Sequence, residues 1–216
     1  MAYDRQKYLE ALKAQVEENI FSHSLALEAC MAGIYDYLQG QGKPFDQAPL
    51  GLSPSGRRQG KLPAGEPSKE EWCLAGLIHD IDFGGEFKED HPHKTKEALA
   101  KYGLDLPPVI EKIVKAHAPE FTGVELTSKA DWAIFCADSL TGLITAVAFV
   151  YPSRKLADVK LNSVLKRFLK DPKFAAGTRR EEVAMCAKAE GLNIPVEKFI
   201  EICLTAMQGI AGQIGL

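Results

Sequence analysis

The stretch WCLAGLIHDID, residues 72–82, places a histidine and an aspartate side by side at the end of a short apolar run. Trp72, Leu74 and Leu77 make this run too apolar for a surface turn, and they predict a helix that passes through the interior. A carboxylate delivered there is destabilising unless a partner pairs with it. A divalent cation is a suitable partner, because imidazole nitrogen and carboxylate oxygen both ligate such ions. On its own a His-Asp dipeptide is more often the polar end of a helix that meets water. The positions of the other histidines therefore decide between that interpretation and a metal site.

Apolar residues at helical spacing run through the rest of the chain, and no strand pattern of useful length is present. The sequence therefore predicts an all-α fold. Two capping-box patterns, Ser68 with Glu71 and Thr178 with Glu181, mark helix starts. Pro92 is expected in the first turn of a helix that His91 opens. The spacing predicts helices over residues 4–18, 19–39, 68–80, 91–103, 107–117, 127–151, 156–169, 178–191 and 195–210.

The chain of 216 residues is long enough for one sizeable core, and we expect a single helical domain over 1–216. Residues 40–67 contain five prolines and six glycines, which predicts an irregular surface insertion. Residues 153–216 are expected to form a C-terminal helical extension packed on the core.

Composition indicates an ordinary globular protein with a formal net charge of −3, which favours neither nucleic acid nor a membrane as partner. The charge is unevenly distributed: residues 1–152 carry 15 basic and 22 acidic side chains, and 153–216 carry 11 and 7. A basic tail folded against an acidic part suits an anionic substrate, although a solvated basic face is the commoner case. The oligomeric state is left open.

Targeting signals and disulfides are not expected. The N-terminus MAYDRQKYLE lacks the apolar core of a signal peptide, and the apolar run 140–151 is too short to span a bilayer. Five widely spaced cysteines without a CxxC pattern indicate buried free thiols in a reducing compartment. These features predict a cytoplasmic protein.

All five histidines lie between positions 23 and 117, which concentrates them in one part of the chain. His23, His117 and Asp138 each fall on the apolar face of a predicted helix, and the His79-Asp80 pair ends another. One buried histidine is usually a hydrogen-bonded core residue. Several inward-facing histidines and aspartates in one helical core indicate a metal site.

The order His23, His79-Asp80, Asp138 resembles the H…HD…D signature of the HD superfamily of metal-dependent phosphohydrolases. The stretch DSLTGLITAVAFVYPSRKLADVK at 138–160 and the tail AMQGIAGQIGL at 206–216 are similar to a short bacterial subgroup of predicted HD hydrolases. The resemblance covers nearly the whole chain except residues 40–67.

This resemblance implies an HD-type helical bundle in which those four side chains hold one divalent ion. Members with two metals add histidines between the HD pair and the last aspartate, where His91 and His117 stand, and Asp80 would then bridge the ions. His93 can replace His91 as a ligand, contact substrate, or be an exposed residue of the first helical turn. The resemblance does not distinguish Mn, Mg, Fe, Zn, Ni and Co.

A metal held in this way acidifies bound water and polarises a phosphoryl oxygen, which serves hydrolysis of a phosphate ester such as a nucleotide. The expected catalytic residues are Asp80, Asp82 as a proton shuttle with Glu86 as an alternative, and Lys94. His93, Arg154 and Lys155 are the expected contacts to a small anionic phosphorylated substrate. Two alternatives remain: a di-iron oxygenase, for which the number of ligands also suffices, and a nucleotide-binding sensor without turnover.

Overall fold

The structure is a computed structural model that describes residues 3–40 and 62–216. The described residues form helices and short 3-10 turns with no strand, which confirms the all-α prediction. The helices are α1 Arg5–Gln15, α2 Glu18–Leu38, α3 Lys69–Ile78, α4 Thr95–Ala100, α5 Pro108–Lys115, α6 Pro119–Thr122, α7 Lys129–Val150, α8 Leu161–Lys170, α9 Arg180–Ala184 and α10 Val196–Gly209.

α7 is the central helix of the bundle. Fourteen of its residues are buried, and it packs against α2, α5, α8, α9 and α10. By length and composition this helix of 22 residues could cross a membrane. The apolar run 140–151, from which the sequence prediction was made, is only its second half. In the structure 61% of its apolar window is buried among the other helices, which is the burial of a core helix.

α2 and α3 lie close together because Gly76 has no side chain. A Cβ atom at Gly76 would stand 3.0 Å from the Glu28 nitrogen and 3.0 Å from the Met31 Cγ atom. The close approach sets the end of α3 beside the first turns of α2. It therefore brings His79, one turn after Gly76, next to His23.

The C-terminal helices pack on this core. A Cβ atom added to Gly33 of α2 would lie 3.2 Å from the Ala206 Cβ atom of α10. The amide of Gln208 donates to the Leu156 and Val159 carbonyls at 3.1 and 3.0 Å, which ties α10 to the turn after α7. All five cysteines are free, and all but the half-buried Cys73 are buried.

Two helices begin well after their predicted starts. The helix expected over 156–169 begins at Leu161, after a 3-10 turn over Leu156–Asp158, and the helix expected at His91 also begins late. The helix expected to open at His91 begins at Thr95, after a 3-10 turn over Gly85–Asp90. The Asp82 carboxylate accepts the Lys94 backbone N–H at 2.7 Å, which anchors the loop before α4 instead of letting the helix run through it. His91 and His93 are therefore loop residues.

The capping-box prediction holds at one position and fails at the other. At Ser68 the box with Glu71 is present, and an unforeseen second box joins Ser128 to Asp131 at the start of α7. Thr178 does not cap α9, because that helix begins two residues later, at Arg180, and ends at Ala184 instead of near Gly191. Arg179 occupies the cap position and turns its side chain to other partners.

The expected insertion at 40–67 falls largely outside the described residues. Its last part, 62–67, has no helix, as predicted. There the Glu66 carboxylate accepts the Lys129 backbone N–H at 2.7 Å and so holds the first turn of α7.

Candidate metal centre

Six side chains from five parts of the chain converge at one place in the helical core. They are His23 from α2, His79 and Asp80 from the end of α3, His91 from the loop before α4, and His117 from just after α5, with Asp138 from α7 against His23 and His79. These are the six residues that the sequence predicted as ligands, and the structure brings them all together.

The first group of donor atoms surrounds one oxygen of Asp80. The Nε2 atoms of His23 and His79 are 3.1 Å apart and lie 3.6 and 3.3 Å from Asp80 Oδ2. Asp138 Oδ1 completes the group at 3.0 Å from His23 Nε2 and 3.7 Å from His79 Nε2. These four donor atoms belong to the residues of the H…HD…D order, which are His23, His79, Asp80 and Asp138.

The second group surrounds the other oxygen of Asp80. His91 Nε2 and His117 Nε2 lie 3.4 Å apart, and they stand 3.5 and 3.8 Å from Asp80 Oδ1. Asp80 therefore turns one carboxylate oxygen to each group, which is the arrangement of a bridging carboxylate.

The donor-to-donor distances fit metal ligands. Bonds of about 2.1 Å to one ion place neighbouring ligand atoms about 3.0 Å apart in an octahedron and about 3.4 Å apart in a tetrahedron. The distances above span 3.0 to 3.8 Å. The donor set of imidazole nitrogens and carboxylate oxygens can thus hold one ion in each group, with Asp80 shared.

Each histidine directs Nε2 inward because its Nδ1 atom is engaged elsewhere. His79 Nδ1 donates to the Gly76 carbonyl at 2.9 Å, and His117 Nδ1 donates to the Val114 carbonyl at 2.5 Å. A carbonyl only accepts, so the proton must sit on Nδ1 and the lone pair on Nε2. Both histidines follow the last turn of a helix. The final carbonyl groups of a helix have no partner within it, so they can accept the Nδ1–H groups.

The other two histidines are oriented by side chains. His23 Nδ1 donates to Thr141 Oγ1 at 2.8 Å, and the Thr141 hydroxyl in turn donates to the Asp138 carbonyl at 2.8 Å. His91 Nδ1 donates to Asp82 Oδ1 at 2.8 Å. Such outer partners fix the tautomer of a ligating histidine and raise its basicity.

Burial and charge together distort the titration of the cluster. Burial lowers the pKa of His79, but the Asp80 carboxylate beside it more than offsets this and raises the pKa to about 9. Burial raises the pKa of Asp80, yet His79 and the neighbouring histidines bring it below its usual range. Burial and the adjacent His79 lower the pKa of His117. Without an ion, the cluster therefore keeps a proton on His79.

We expect metal affinity to fall with falling pH for this reason. With a pKa of about 9, His79 is protonated at neutral pH in the metal-free protein, whereas Asp80 and His117 have already lost theirs. An ion at His79 Nε2 must displace that proton, so each pH unit below 9 should weaken the apparent affinity of that position about tenfold. Calorimetry in buffers of different ionisation enthalpy measures the protons released. An affinity independent of pH between 6 and 8 would contradict the assignment.

A cavity of about 380 Å³ opens onto the cluster. Its polar lining comes from the cluster and from Arg179, and its remaining walls are apolar. The lining residues are Asp80, Phe83, His91, Pro92, His117, Ala118, Phe121, Asp138 and Arg179. Phe121 is 66% exposed, and Phe83 packs edge-on against His91 with ring centroids 5.0 Å apart.

Asp82 has a different place from the one expected of a proton shuttle. It is fully buried and does not line the cavity. Its two oxygens accept from His91 Nδ1 and from the Lys94 backbone N–H. The structure therefore places Asp82 behind His91, as the group that orients it. Glu86, the alternative shuttle, is exposed and pairs with Lys101 at 2.9 Å.

The expected cationic contacts are not brought to the cavity. The Lys94 ammonium pairs with Glu97 at 3.0 Å on the surface, and His93 is exposed beside a separate depression. Arg154 and Lys155 are exposed in the turn after α7, and neither lines the cavity. The cation found there is Arg179, which sequence reasoning missed. The only signal for it was the net positive charge of the tail.

Replacing Asp82 tests its placement behind His91. Asp82→Asn keeps the shape but removes the charge that holds His91 Nδ1–H, so we expect the affinity for an ion at His91 and His117 to fall about 10- to 100-fold. The group of His23, His79 and Asp138 should keep its ion. Metal titrations followed by elemental analysis measure both. Equal weakening at the two positions would show general loosening of the site instead.

Comparisons with known proteins add no relative: no family model matches the chain, and neither a curated protein nor a solved structure matches it. The chemistry of the centre therefore has to be taken from its own geometry.

Proposed function

We propose that the protein is a metal-dependent hydrolase of a phosphate ester of a small metabolite. The observation that carries the proposal is the pair of donor groups that share Asp80 at the floor of an open cavity. The resemblance of the His23, His79-Asp80, Asp138 order to HD-type phosphohydrolases supports the choice of reaction.

The chain's own residues would act as holders and positioners. His23, His79, Asp138 and one Asp80 oxygen would hold one divalent ion, and His91, His117 and the other Asp80 oxygen a second. When bound, the ions would supply an activated water and polarise a phosphoryl oxygen. Thr141 and Asp82 keep two of the imidazoles in the tautomer that leaves Nε2 free.

The cavity indicates the size of the substrate. A volume of about 380 Å³ lies in the lower part of the range for small-molecule sites, which suits a single nucleotide or a sugar phosphate more than a polymer. The polar floor would receive the phosphate, while Phe83, Pro92 and Phe121 form an apolar wall for the organic part.

A panel assay tests the proposal. The purified protein, stripped and reloaded with each of Mn, Mg, Fe, Zn, Ni and Co, is incubated with nucleotides and phosphate esters, and released phosphate is measured. We expect metal-dependent turnover of at least one ester, lost with the chelator and in Asp80→Asn. Absence of phosphate release with every metal would reject the proposal.

The same panel separates the two alternatives. A hydrolase works without dioxygen and with redox-inert ions such as Zn²⁺, whereas a di-iron oxygenase requires iron and consumes dioxygen. Assays in an anaerobic chamber therefore discriminate between them. A sensor module would bind a member of the panel, seen by calorimetry, and release no phosphate under any condition.

Phe121 offers a test of the apolar wall. We expect Phe121→Ser to raise KM for esters with a planar or apolar organic part about 5- to 20-fold, since loss of a stacked aromatic contact is worth about 1–2 kcal/mol. The value of kcat should change little, and because the side chain is 66% exposed, stability should change little too. An unchanged KM across the panel would show that substrate does not reach this wall.

A further inference from the structure

Arg179 stands out because it brings a positive charge into the cavity above the metal cluster. It lies between α8 and α9 and is the one lysine or arginine, among the described residues, that lines this cavity. Its side chain is 37% exposed, so part of the guanidinium is open to solvent while the rest packs against the protein.

Three contacts fix the guanidinium in place. Its Nε atom donates to Glu182 Oε2 at 2.6 Å, and its Nη2 atom donates to Asp138 Oδ2 at 2.9 Å. Nη2 also makes a long contact of 3.5 Å to the His117 carbonyl. Two sides of the planar group are therefore held, which sets the orientation of the third.

The third nitrogen, Nη1, makes no hydrogen bond to the described residues. Glu120 Oε1 stands 4.0 Å away, which is an ion pair but too long for a hydrogen bond. Glu120 is itself exposed by 44% and sits on the short helix α6. Two N–H donors of a fixed guanidinium thus stay available beside the cavity.

The Asp138 contact links Arg179 to the metal cluster. Asp138 gives Oδ2 to Arg179 and turns Oδ1 toward His23 and His79. A guanidinium on the outer oxygen holds the carboxylate in this rotamer. Arg179 lines the same cavity as the cluster, so a substrate that touches the cluster can also reach the guanidinium.

The charges of the cavity call for a cation of this kind. Its walls carry Asp80 and Asp138, with Glu120 and Glu182 next to Arg179. Ions in the cluster would balance the aspartates, and Arg179, the cation of the lining, would face the phosphate of a substrate. Arginine is suited to this place because its guanidinium stays charged, and Nη1 can donate to a phosphoryl oxygen while Nε and Nη2 stay paired with protein carboxylates.

We infer that Arg179 is the residue that recognises the anionic group of the substrate, with Nη1 donating to a phosphoryl oxygen while Nη2 keeps Asp138 turned to the cluster. The inference rests on the proposed function and adds to it a recognition residue from the C-terminal helices. It replaces Arg154 and Lys155, which remain outside the cavity.

Binding of inorganic phosphate to the metal-loaded protein tests the inference. The variants are R179A and R179K, and R167A is the matched control, since Arg167 is 34% exposed and pairs with Asp171 at 3.6 Å away from the cavity lining. We expect R179A to weaken phosphate binding about 10- to 100-fold, as loss of a charged hydrogen bond does. R179K should fall between R179A and wild type, and R167A should stay near wild type. Added guanidinium ion should restore part of the affinity of R179A.

The readouts separate the outcomes. Elemental analysis must show the same metal content in R179A and wild type; if metal content falls in step with phosphate affinity, Arg179 only positions Asp138 and the recognition role is rejected. Unchanged phosphate affinity in R179A rejects it as well, while turnover by the wild type would leave the proposed function standing. A wild type that neither binds phosphate nor releases it from any ester overturns both.

Discussion

Replacing Asp80 with asparagine should remove both ions at once. Among the described residues, Asp80 is the one side chain that faces both donor groups, with Oδ2 at 3.3 Å from His79 Nε2 and Oδ1 at 3.5 Å from His91 Nε2. The amide keeps the size of the carboxylate but has one acceptor oxygen and no charge, so neither group retains a bridging anion. We expect metal content by elemental analysis to fall from about two ions per chain to near zero, and turnover to vanish.

The thermal stability of Asp80→Asn should no longer depend on added metal. In the metal-free protein the Asp80 carboxylate supports the raised pKa of His79, and that pair is lost in Asp80→Asn. The variant should remain helical by circular dichroism but should gain no thermal stability from added metal, which the wild type should gain. Asp36→Asn, a half-exposed carboxylate paired with Lys69, serves as the control and should keep full metal content. Full metal content in Asp80→Asn would reject the shared carboxylate.

The ligand residues were predictable because helical periodicity reports burial. His23, His117 and Asp138 lie at positions where the apolar spacing turns inward, and a polar group there needs a partner. The ordered signature then grouped them. Periodicity assigned faces but not distances. The resemblance implied that Asp80 bridges two groups, and the distances within each group became visible only with helix packing such as that of α2 against α3 at Gly76.

The substrate contacts were not predictable in the same way. Arg154 and Lys155 were chosen because they follow the helix of Asp138, but that helix runs on to Val150 and carries them away from the cluster. At 1.5 Å rise per residue, the 16 residues from Asp138 to Arg154 correspond to roughly 24 Å along a straight helix. Arg179 lies farther along the chain, in a loop without periodicity, and reaches Asp138 only because α9 packs against α7.

Asp82 shows a second limit of sequence reasoning. Only Ile81 separates it from Asp80, and closeness in sequence suggested that both carboxylates face the same reaction. The chain turns after α3, so Asp80 enters the cluster while Asp82 is buried behind His91. Local direction at the end of a helix depends on the turn that follows, which the apolar pattern does not specify.

Replacing His117 should halve the metal content and leave the other ion in place. His117 Nε2 belongs to the group of His91 and Asp80 Oδ1, whereas His23, His79, Asp80 Oδ2 and Asp138 form the other group without it. We expect the ratio of metal to protein at saturating metal to fall from about two to about one in His117→Ala.

His23→Ala and His93→Ala make the comparison specific. His23→Ala should also lower the ratio to one, but with the ion left at His91 and His117, so Asp82→Asn should weaken metal binding further in that background and not in His117→Ala. His93 is exposed and outside both groups, so His93→Ala should keep two ions. Because His117 is buried, His117→Gln provides a variant with less loss of volume should the alanine protein unfold.

With manganese, two ions sharing Asp80 should give a coupled paramagnetic signal in the wild type and the signal of an isolated ion in His117→Ala. A ratio of two in a folded His117 variant would show that the second ion does not need His117 and would make His117 a hydrogen-bonded core residue.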